Sequence, residues 1–318
     1  MPPIASVDVP ASTANLGSGF DCFAAALSLK LRVELHHGDL PGIVLNAHGE
    51  GGPGPDDDPE ANLVIRAFRE GMRAAHGSPL GSGTWRLEVS SMIPAARGLG
   101  SSASAIVAGL LLGASVGRSA PSADELLGLA ASLEGHADNV SAAMYGGFTL
   151  AVPGDEGRLS FRRFRVPEAW IPVVFVAAAE SRTAEMRAVL PQLVPHRDAA
   201  LQAGRSALLA TAILTSDAGM LREAMRDSLH QPHRLPRLPG AAELIDIALQ
   251  RGAAGACLSG AGPSVLAICD SPITAHSVEK AWNAAGVRGM ATRLRFDAAG
   301  ARLSVAGAAP AADEGVAP

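Results

Sequence analysis

Lysine is almost missing from this chain of 318 residues, which contains only Lys30 and Lys280. Neither lysine follows a glycine, so a Walker-type phosphate loop, which requires Gly-Lys before Ser or Thr, is excluded. The chain also has no basic run, and its net charge is −5. This charge balance argues against a protein that binds nucleic acid.

Cysteine is scarce as well, with Cys22, Cys257 and Cys269 widely spaced. That spacing fits neither a disulfide framework nor a metal cluster, and it favours reduced thiols in a cytoplasmic protein. The N-terminus has no basic region before an apolar core, so we expect no signal peptide. The longest apolar run, around residues 105–116, is too short for a membrane span.

The remaining composition, 48% hydrophobic and 18% charged, is that of a soluble globular protein with one large or two medium domains. Alternation predicts strands over 4–9, 31–36, 85–89, 171–177 and 265–269. Apolar periodicity predicts helices over 62–75, 102–116, 122–134, 199–215, 240–251 and 274–285. The mixed order favours an α+β fold over a doubly wound sheet. We further expect a domain boundary near residue 155, an acidic loop over 49–59 and a disordered tail over 306–318.

The most informative segment opens the second of these helices. It reads Pro94-Ala95-Ala96-Arg97-Gly98-Leu99-Gly100-Ser101-Ser102-Ala103-Ser104. Glycines let a backbone turn tightly and approach a ligand, and the free N–H groups of the helix that follows form an anion site. The two serine hydroxyls favour a nucleotide triphosphate with a metal, since such hydroxyls bind magnesium in phosphate loops.

Two other interpretations of this segment stay open. Gly98, Gly100 and Ala103 formally satisfy the dinucleotide fingerprint, which requires a second strand ending in an acid about 20 residues later. The chain continues as a helix instead, and Asp124 and Glu125 lie in the first turn of the next predicted helix, after Pro121-Ser122. The segment could also be a purely structural glycine turn.

Three further segments combine glycines with polar residues. They are Pro10–Asp21, with Asn15, Gly17, Gly19 and Asp21 in a loop after the first strand; Glu134–Gly147, with His136, Asp138 and Asn139 at a helix end; and the turn Leu258–Ser264. Singly, they are typical of capped or glycine-rich turns, and Asp138 and Asn139 could be a helix N-cap.

Taken together, these four segments resemble the GHMP kinase superfamily, and within it the homoserine kinases. The second level of resemblance depends on Glu134-Gly-His-x-Asp-Asn-Val140, on Ser181-x-Thr183-x-x-x-Arg187 before Leu190-Pro191, and on Leu229–Arg234 before Pro239-Gly240. It covers about residues 5–296. Arg182 between Ser181 and Thr183, His233 before Arg234 and Ala137 depart from the usual pattern.

The resemblance implies an N-terminal nucleotide-binding domain like domain 2 of ribosomal protein S5, over 1–155, and a ferredoxin-like C-terminal domain, over 156–305. ATP would bind along residues 94–104 and at Asn62. Mg²⁺ would bind Ser102 and Glu134; the superfamily's metal glutamate lies nearer to Leu127-Gly128, where this chain has no acid. A homodimer is implied as well, and the cysteine usage described above favours the cytoplasm.

The resemblance also implies a site for L-homoserine, phosphorylated on its γ-hydroxyl in threonine biosynthesis. Its residues would be Asn15, Asp21, His136, Asp138, Asn139, Thr183, Arg187, Arg234 and Gly260. We expect Arg187 and Arg234 to bind the carboxylate and Asp21 the ammonium, because these charges match. Asn15 and Asp138 are the candidate catalytic residues, and our hypothesis is that Asp138 positions the substrate rather than acting as an essential base.

Three alternative functions remain at this stage. Another small-molecule kinase of the superfamily, for threonine or mevalonate, would share the phosphate loop. A binding site can discriminate between homoserine and threonine by only about 1–3 kcal/mol, because the two amino acids differ only in the placement of a methylene and a hydroxyl. An NAD-dependent dehydrogenase would bind nicotinamide without magnesium. A catalytically dead nucleotide-binding regulator would have no need for Ser102, Asn15 and Asp138.

Overall fold

The computed structural model describes residues 2–38, 42–50, 61–76, 84–154 and 158–307. Within these ranges the strands are β1 Ala5–Ala14, β2 Phe23–His37, β3 Gly42–Gly49, β4 Thr84–Ser91, β5 Phe148–Pro153, β6 Leu159–Phe164, β7 Ile171–Ala177, β8 Gly255–Leu258, β9 Val265–Cys269, β10 Gly289–Arg293 and β11 Arg302–Val305. The helices are α1 Leu63–His76, α2 Ser101–Ser115, α3 Ala123–Glu134, α4 Asp138–Tyr145, α5 Thr183–Ala188, α6 His196–Thr215, α7 Leu221–Ala224, α8 Gln231–Arg234, α9 Ala241–Gln250 and α10 Pro272–Asn283.

The first sheet has the order β11-β1-β2-β4-β3. In addition, β5 pairs with the N-terminal end of β2, and β6 pairs with β5. All its pairs are antiparallel except β3 with β4, which α1 connects. Helices α1 and α2 pack closely because glycines stand at their crossing. A Cβ atom on Gly109 would lie 2.4 Å from the Val64 carbonyl oxygen, and one on Gly113 would lie 2.0 Å from that of Phe68. The predicted α+β fold is confirmed.

The second sheet has the order β10-β7-β9-β8 and is antiparallel throughout. When its four strands are numbered 1 to 4 along the chain, they lie side by side in the order 4-1-3-2. This order, in a β-α-β-β-α-β unit, is the ferredoxin-like arrangement that the resemblance implies. Both faces of this sheet are buried. Val173, Phe175 and Val265 pack with Trp282 in one core, whereas Val174, Leu266 and Ile268 belong to the larger core of the first sheet.

The loop predicted over residues 10–21 begins later than the sequence suggests, because β1 continues to Ala14. The residues Ala11–Ala14 are small and fully buried between β2 and the helices α2 and α4. Pro10 stands at an irregularity in the β1–β2 pairing. A proline is tolerated at such a point because its missing N–H is not needed there. The polar residues Ser12 and Thr13 are therefore strand residues.

The change from one sheet to the other lies between Phe164 and Ile171. Strand β6, on the C-terminal side of residue 155, pairs with β5 in the first sheet, and β11 returns to pair with β1. The division at residue 155 stays a prediction. The predicted acidic loop over 49–59 and the tail over 306–318 lie mostly outside the described residues. Within the described ranges no helix is long and apolar enough to span a bilayer.

Candidate active site

A cleft of about 590 Å³ lies where the two sheets meet, and both contribute to its walls. The first sheet and its helices provide the phosphate loop and residues of α3 and α4. The second provides the start of α5, the end of α8 and the turn before β9. Every predicted substrate residue lines it: Asn15, Asp21, His136, Asp138, Asn139, Thr183, Arg187, Arg234 and Gly260. The topology thus brings residues from five separate segments into one space.

The phosphate loop ends in an open helix N-terminus. Gly100 is the N-cap residue of α2 in a left-handed conformation, and no side chain caps the helix. The first turn of α2 has no acidic residue. Its N–H groups are therefore available to an anion, with the positive end of the helix dipole behind them.

Gly98 and Gly100 of the phosphate loop are required by close contacts that the sequence does not show. A Cβ atom on Gly98 would lie 2.2 Å from the Ser259 carbonyl oxygen, and one on Gly100 would lie 2.1 Å from Ser12 Oγ. Ser259 Oγ also donates a hydrogen bond to the Gly98 carbonyl at 2.6 Å. The loop thus packs tightly against β1 and against the turn Leu258–Ser264, and this contact accounts for both glycine-rich motifs.

Ser102 and Glu134 lie together at the mouth of α2, as the metal prediction requires. Ser102 Oγ donates a 2.6 Å hydrogen bond to Glu134 Oε1. The Glu134 side chain is only 10% exposed, and burial raises the pKa of its carboxyl, while the bond from Ser102 and the charge of His136 act the other way. No cluster of three His, Cys, Asp or Glu ligands occurs in the described part of the chain. These two oxygens could hold Mg²⁺ because Mg²⁺ takes one or two protein oxygens and completes its shell with phosphate and water.

Asp138 is a buried carboxylate at the start of α4. The helix has Ala137 as its N-cap residue, so the N-cap interpretation of Asp138 and Asn139 is wrong. Asp138 Oδ1 lies 2.6 Å from His136 Nδ1 and accepts the Asn139 N–H at 2.7 Å. Burial alone would lower the pKa of His136, but the hydrogen bond and charge of Asp138, with Glu134, outweigh it and raise that pKa. The imidazolium form is therefore favoured between two carboxylates.

Asn139 connects this helix to the first strand. Ser12 Oγ donates to Asn139 Oδ1 at 2.9 Å, directly beside Gly100. The N-terminal ends of α2 and α4 consequently meet at one point of the cleft.

Asp21 and Arg187 form a two-pronged ion pair across the cleft, with N–O distances of 2.7 and 2.8 Å. Asp21 lies in a left-handed conformation, as do Asn15 and Leu16 in the same loop. Asn15 holds this loop: its Oδ1 accepts the Asp21 N–H at 3.0 Å, and its Nδ2 donates to the Gly260 carbonyl at 2.8 Å. Non-glycine residues with positive φ are uncommon and cluster at functional sites. The segment is thus more than a capped turn.

Arg234 is 1% exposed and is held by backbone and side-chain acceptors. Its Nε donates to the Met186 carbonyl at 3.1 Å, and its Nη1 lies 3.2 Å from His230 Nδ1. Phe20 stacks on His230 at 5.1 Å, and its ring lies under both Arg187 and Arg234. Both predicted arginines therefore share one aromatic support.

Several predicted nucleotide-binding residues do not line the cleft. Pro94, Ala103 and Ser104 are not part of its lining, and Ala103 and Ser104 are fully buried. Ser104 Oγ donates to the Pro10 carbonyl at 2.8 Å, so its role there is structural. Asn62 does line the cleft, with its Oδ1 accepting from Val64 and Ile65 at the start of α1.

Sequence reasoning missed the apolar wall beyond the phosphate loop. Leu31, Leu45, Ala47, Leu63, Val64 and Val89 line this part. Two of them belong to β3, whose exposed and half-buried alternation gives a weak strand signal. Ser181 of the Ser181-x-Thr183 motif also lines the cleft, as does Arg182, the departure from the family pattern that the sequence places at the rim of the substrate site.

Comparison with known proteins agrees with this geometry. The family profile described as GHMP kinases N terminal domain matches residues 62–147, and the one described as GHMP kinases C terminal matches residues 209–288. The chain is 38% identical over 303 residues to a homoserine kinase of Synechococcus sp. (strain CC9311), covering 92% of this chain and 94% of the relative.

Two solved structures share its architecture. A homoserine kinase from Cytophaga hutchinsonii superposes with a TM-score of 0.83 at 26% identity, covering 95% of this chain and 98% of that one. A mevalonate kinase of L. major in complex with R-mevalonate has a TM-score of 0.65 at 18% identity, covering 90% and 94%. The latter likeness concerns the fold alone.

Proposed function

This chain belongs to the homoserine kinase family of the GHMP kinases, and from that premise we propose that it transfers the γ-phosphoryl group of ATP to the γ-hydroxyl of L-homoserine, in threonine biosynthesis. The products are ADP and O-phospho-L-homoserine. The oxygen–phosphorus bond to homoserine forms as the bond between the γ-phosphorus and the β–γ bridging oxygen breaks.

One observation carries the proposal: the open N-terminus of α2 and a cluster of paired charges share a single cleft. An α-amino acid has an ammonium and a carboxylate on one carbon, and Asp21 with Arg187 offers both opposite charges at hydrogen-bond distance. Arg234 adds a second guanidinium for the carboxylate. A mevalonate pocket would have no ammonium to bind and would not need both Asp21 and Asp138.

Mg²⁺ belongs to the proposal as the metal that accompanies ATP. Ser102 and Glu134 would hold it, because their oxygens lie together and Glu134 is a buried carboxylate facing the phosphate loop. The chemistry that the ion supplies in such a site is neutralisation of phosphate charge. The backbone N–H groups of α2 and its dipole act on the same charge, but an exposed dipole contact contributes only about 0.3–1 kcal/mol.

Asp138 is proposed to orient the acceptor. Its Oδ1 lies against His136 Nδ1 and accepts a hydrogen bond from the Asn139 N–H. These two contacts would fix the plane of the carboxylate and leave Oδ2 for the substrate. The hydroxyl proton would then pass to the phosphoryl group being transferred. Asn15 would act by holding Asp21 and Gly260 in place.

The proposed activity is tested by ADP release from Mg-ATP with homoserine, threonine, serine, mevalonate and galactose as acceptors. We expect kcat/KM to be highest for homoserine. Equal rates with mevalonate and homoserine would contradict the assignment. A higher rate with threonine than with homoserine would contradict it as well and would indicate a threonine kinase.

The role of Asp138 is tested separately with Asp138→Asn, which keeps the size and one acceptor oxygen. We expect KM for homoserine to rise. Removal of an essential base can lower kcat by about 10⁴-fold, and we expect a smaller loss of kcat here. A loss of about 10⁴-fold in kcat at unchanged KM, in a folded variant, would show that Asp138 is the base.

A homodimer in the cytoplasm completes the proposal. Leu193, which precedes α6, and Leu214, in its last turn, are 88% and 68% exposed, and we propose that a contact between copies covers them. Light scattering on purified protein gives the oligomeric mass, and a monomer at micromolar concentration would contradict this part.

A further inference from the structure

Most positive side chains near the phosphate loop are already engaged in hydrogen bonds or ion pairs within the protein. Arg97 donates to the carbonyls of Ala177, Ala95 and Ala178 at 2.9, 3.0 and 3.2 Å. Arg187 pairs with Asp21 and is assigned above to the carboxylate of the acceptor. Lys30 lies 2.6 Å from Asp297, and neither lysine lines the cleft. A triphosphate in this cleft therefore meets few uncommitted cations.

Arg182 differs from these residues. It is exposed, it lines the cleft, and its guanidinium makes no hydrogen bond or ion pair with any residue in the described ranges. The residue before it is tied to the phosphate loop, since the Ser181 N–H donates to the Ala96 carbonyl at 2.9 Å. Arg182 thus stands next to the loop with its full charge available.

Ser181 provides an independent indication of a ligand at the same place. Its Oγ is buried and has no hydrogen-bond partner among the described residues, although Ser181 lines the cleft. Buried hydroxyls in folded proteins are nearly always hydrogen-bonded. A bound oxygen-rich ligand would satisfy this hydroxyl.

The position of this segment shows which part of a ligand it would meet. The segment from Ser181 to Arg187 is fixed at one end to Ala96 of the phosphate loop and at the other to Asp21 of the acceptor cluster. A phosphoryl group in transfer must lie between these two places. Ser181 and Arg182 are therefore on the γ-phosphate side of the triphosphate.

We propose that Ser181 Oγ and the Arg182 guanidinium bind the γ-phosphate of ATP, and that Arg182 supplies the positive charge which a lysine provides in other phosphate loops. The proposal rests on the kinase activity proposed above. The serine hydroxyl donates one hydrogen bond and the guanidinium donates one or two, with no proton transferred. Because the transferring group carries its charge on three oxygens, these donors act on binding and on the transition state alike.

The experiment compares nucleotides that differ in the γ-phosphate. Dissociation constants for ADP and for a β,γ-imido analogue of ATP, both with Mg²⁺, are measured by calorimetry for the wild type and for Arg182→Gln, Arg182→Lys and Ser181→Ala. The control variant is Arg222→Gln, which removes the same charge from an exposed position of α7 outside the cleft. No acceptor is present, so the result is independent of whether homoserine is the substrate.

We expect Arg182→Gln to weaken the analogue about tenfold while ADP changes less than twofold, since a charge-assisted hydrogen bond contributes on this scale. Arg182→Lys should recover part of the loss, and Ser181→Ala should weaken the analogue about threefold. Arg222→Gln should leave both constants unchanged. Equal weakening of ADP and analogue by Arg182→Gln, or no weakening of either, would overturn the proposal.

Discussion

The ring of Phe20 touches three of the side chains that define the acceptor end of the cleft. It stacks on His230 with centroids 5.1 Å apart, and the guanidinium carbons of Arg187 and Arg234 lie 5.7 and 5.3 Å from its centre. Two like charges side by side repel each other, and a shared aromatic face offsets part of that repulsion through cation–π attraction. We therefore regard Phe20 as a positioning residue for the carboxylate-binding arginines.

Replacement of Phe20 by leucine should raise KM for homoserine. Loss of two cation–π contacts of about 0.5–1 kcal/mol each corresponds to roughly a five- to thirtyfold rise in KM for homoserine. KM for ATP should change by less than about twofold. Steady-state kinetics with homoserine and with 3-amino-1-propanol, which lacks the carboxylate, measures this. The effect should disappear with the second acceptor, and an equal effect on both acceptors would mean a general loss of structure. Phe161→Leu, outside the cleft, is the control.

His230 is held in one tautomer by its surroundings. A guanidinium can only donate, so Nδ1 accepts from Arg234 at 3.2 Å and Nε2 carries the hydrogen that bonds the Gly17 carbonyl at 3.0 Å. Burial lowers the pKa of His230, Asp227 raises it and Arg234 lowers it further, so that the neutral form is kept. Protonation would place an N–H group against the guanidinium.

This arrangement predicts a loss of stability in mild acid. Because the folded pKa of His230 is lowered, its contribution to stability is present above the ordinary histidine range and is lost as pH falls below it. The free energy of unfolding should decrease by up to about 1.4 kcal/mol per pH unit on that account. Urea unfolding between about pH 7.5 and 5 should show a shallower decrease for His230→Gln. The exposed His276→Gln serves as control, and equal slopes for wild type and His230→Gln would contradict the prediction.

At the scale of elements, the phosphate loop and the turn before β9 behave as one unit. Gly98 lies at φ 74° and Gly260 at φ 57°, and the two loops exchange contacts through Ser259. Any side chain at Gly98 would push the loops apart.

Gly98→Ala should therefore destabilise the protein by about 2–4 kcal/mol, the sum of a left-handed alanine and local overpacking. Gly204→Ala is the matched control: Gly204 lies inside α6 with no atom near its Cβ position, so alanine should stabilise by up to about 1 kcal/mol. Denaturant unfolding of both variants measures the two changes. If Gly98→Ala were as stable as the wild type, the loops would not be packed as described.

The long periodic elements could be predicted from sequence, and the site's assembly could not. Helix α2 was expected over 102–116 and spans Ser101–Ser115, and β7 has the predicted bounds. The sequence does not predict strands β3, β5, β6, β8, β10 and β11 or helices α4, α5, α7 and α8, because short or mostly exposed elements leave little periodicity. The motif residues were recognisable one by one, but their meeting depends on how the two sheets pack.

Residue identities also hid some of the geometry. Nothing in the sequence shows that Gly98 faces Ser259, or that Arg182 is uncommitted whereas Arg97 is not. Such statements require distances between segments that are far apart in the chain.

At the scale of the whole molecule, the two sheets share a core. Val174, Leu266 and Ile268 of the second sheet and Leu209 of α6 belong to the same apolar cluster as Phe68 and Phe148 of the first part. The cleft lies over this shared core, so its two walls are joined below by packing as well as by hydrogen bonds such as that from Asn15 to Gly260.

We expect the molecule to unfold in a single thermal transition. Calorimetry should give equal calorimetric and van't Hoff enthalpies, and a β,γ-imido ATP analogue at 100 times its dissociation constant should stabilise that transition by about 2.7 kcal/mol. Two resolved transitions, of which the nucleotide shifts only one, would contradict a shared core. Arg222→Gln, with its unaltered cleft, should show the same shift as the wild type.

The pairing of β11 with β1 has a consequence for synthesis on the ribosome. Residues 5–8 of β1 pair on their outer side with residues 302–305 of β11, which are synthesised long after β1. Until then the nascent first sheet carries an unpaired edge, and such edges recruit other strands. The time needed to translate the stretch between β1 and β11, and chaperones that occupy the edge meanwhile, should therefore govern how much of this enzyme reaches its native state.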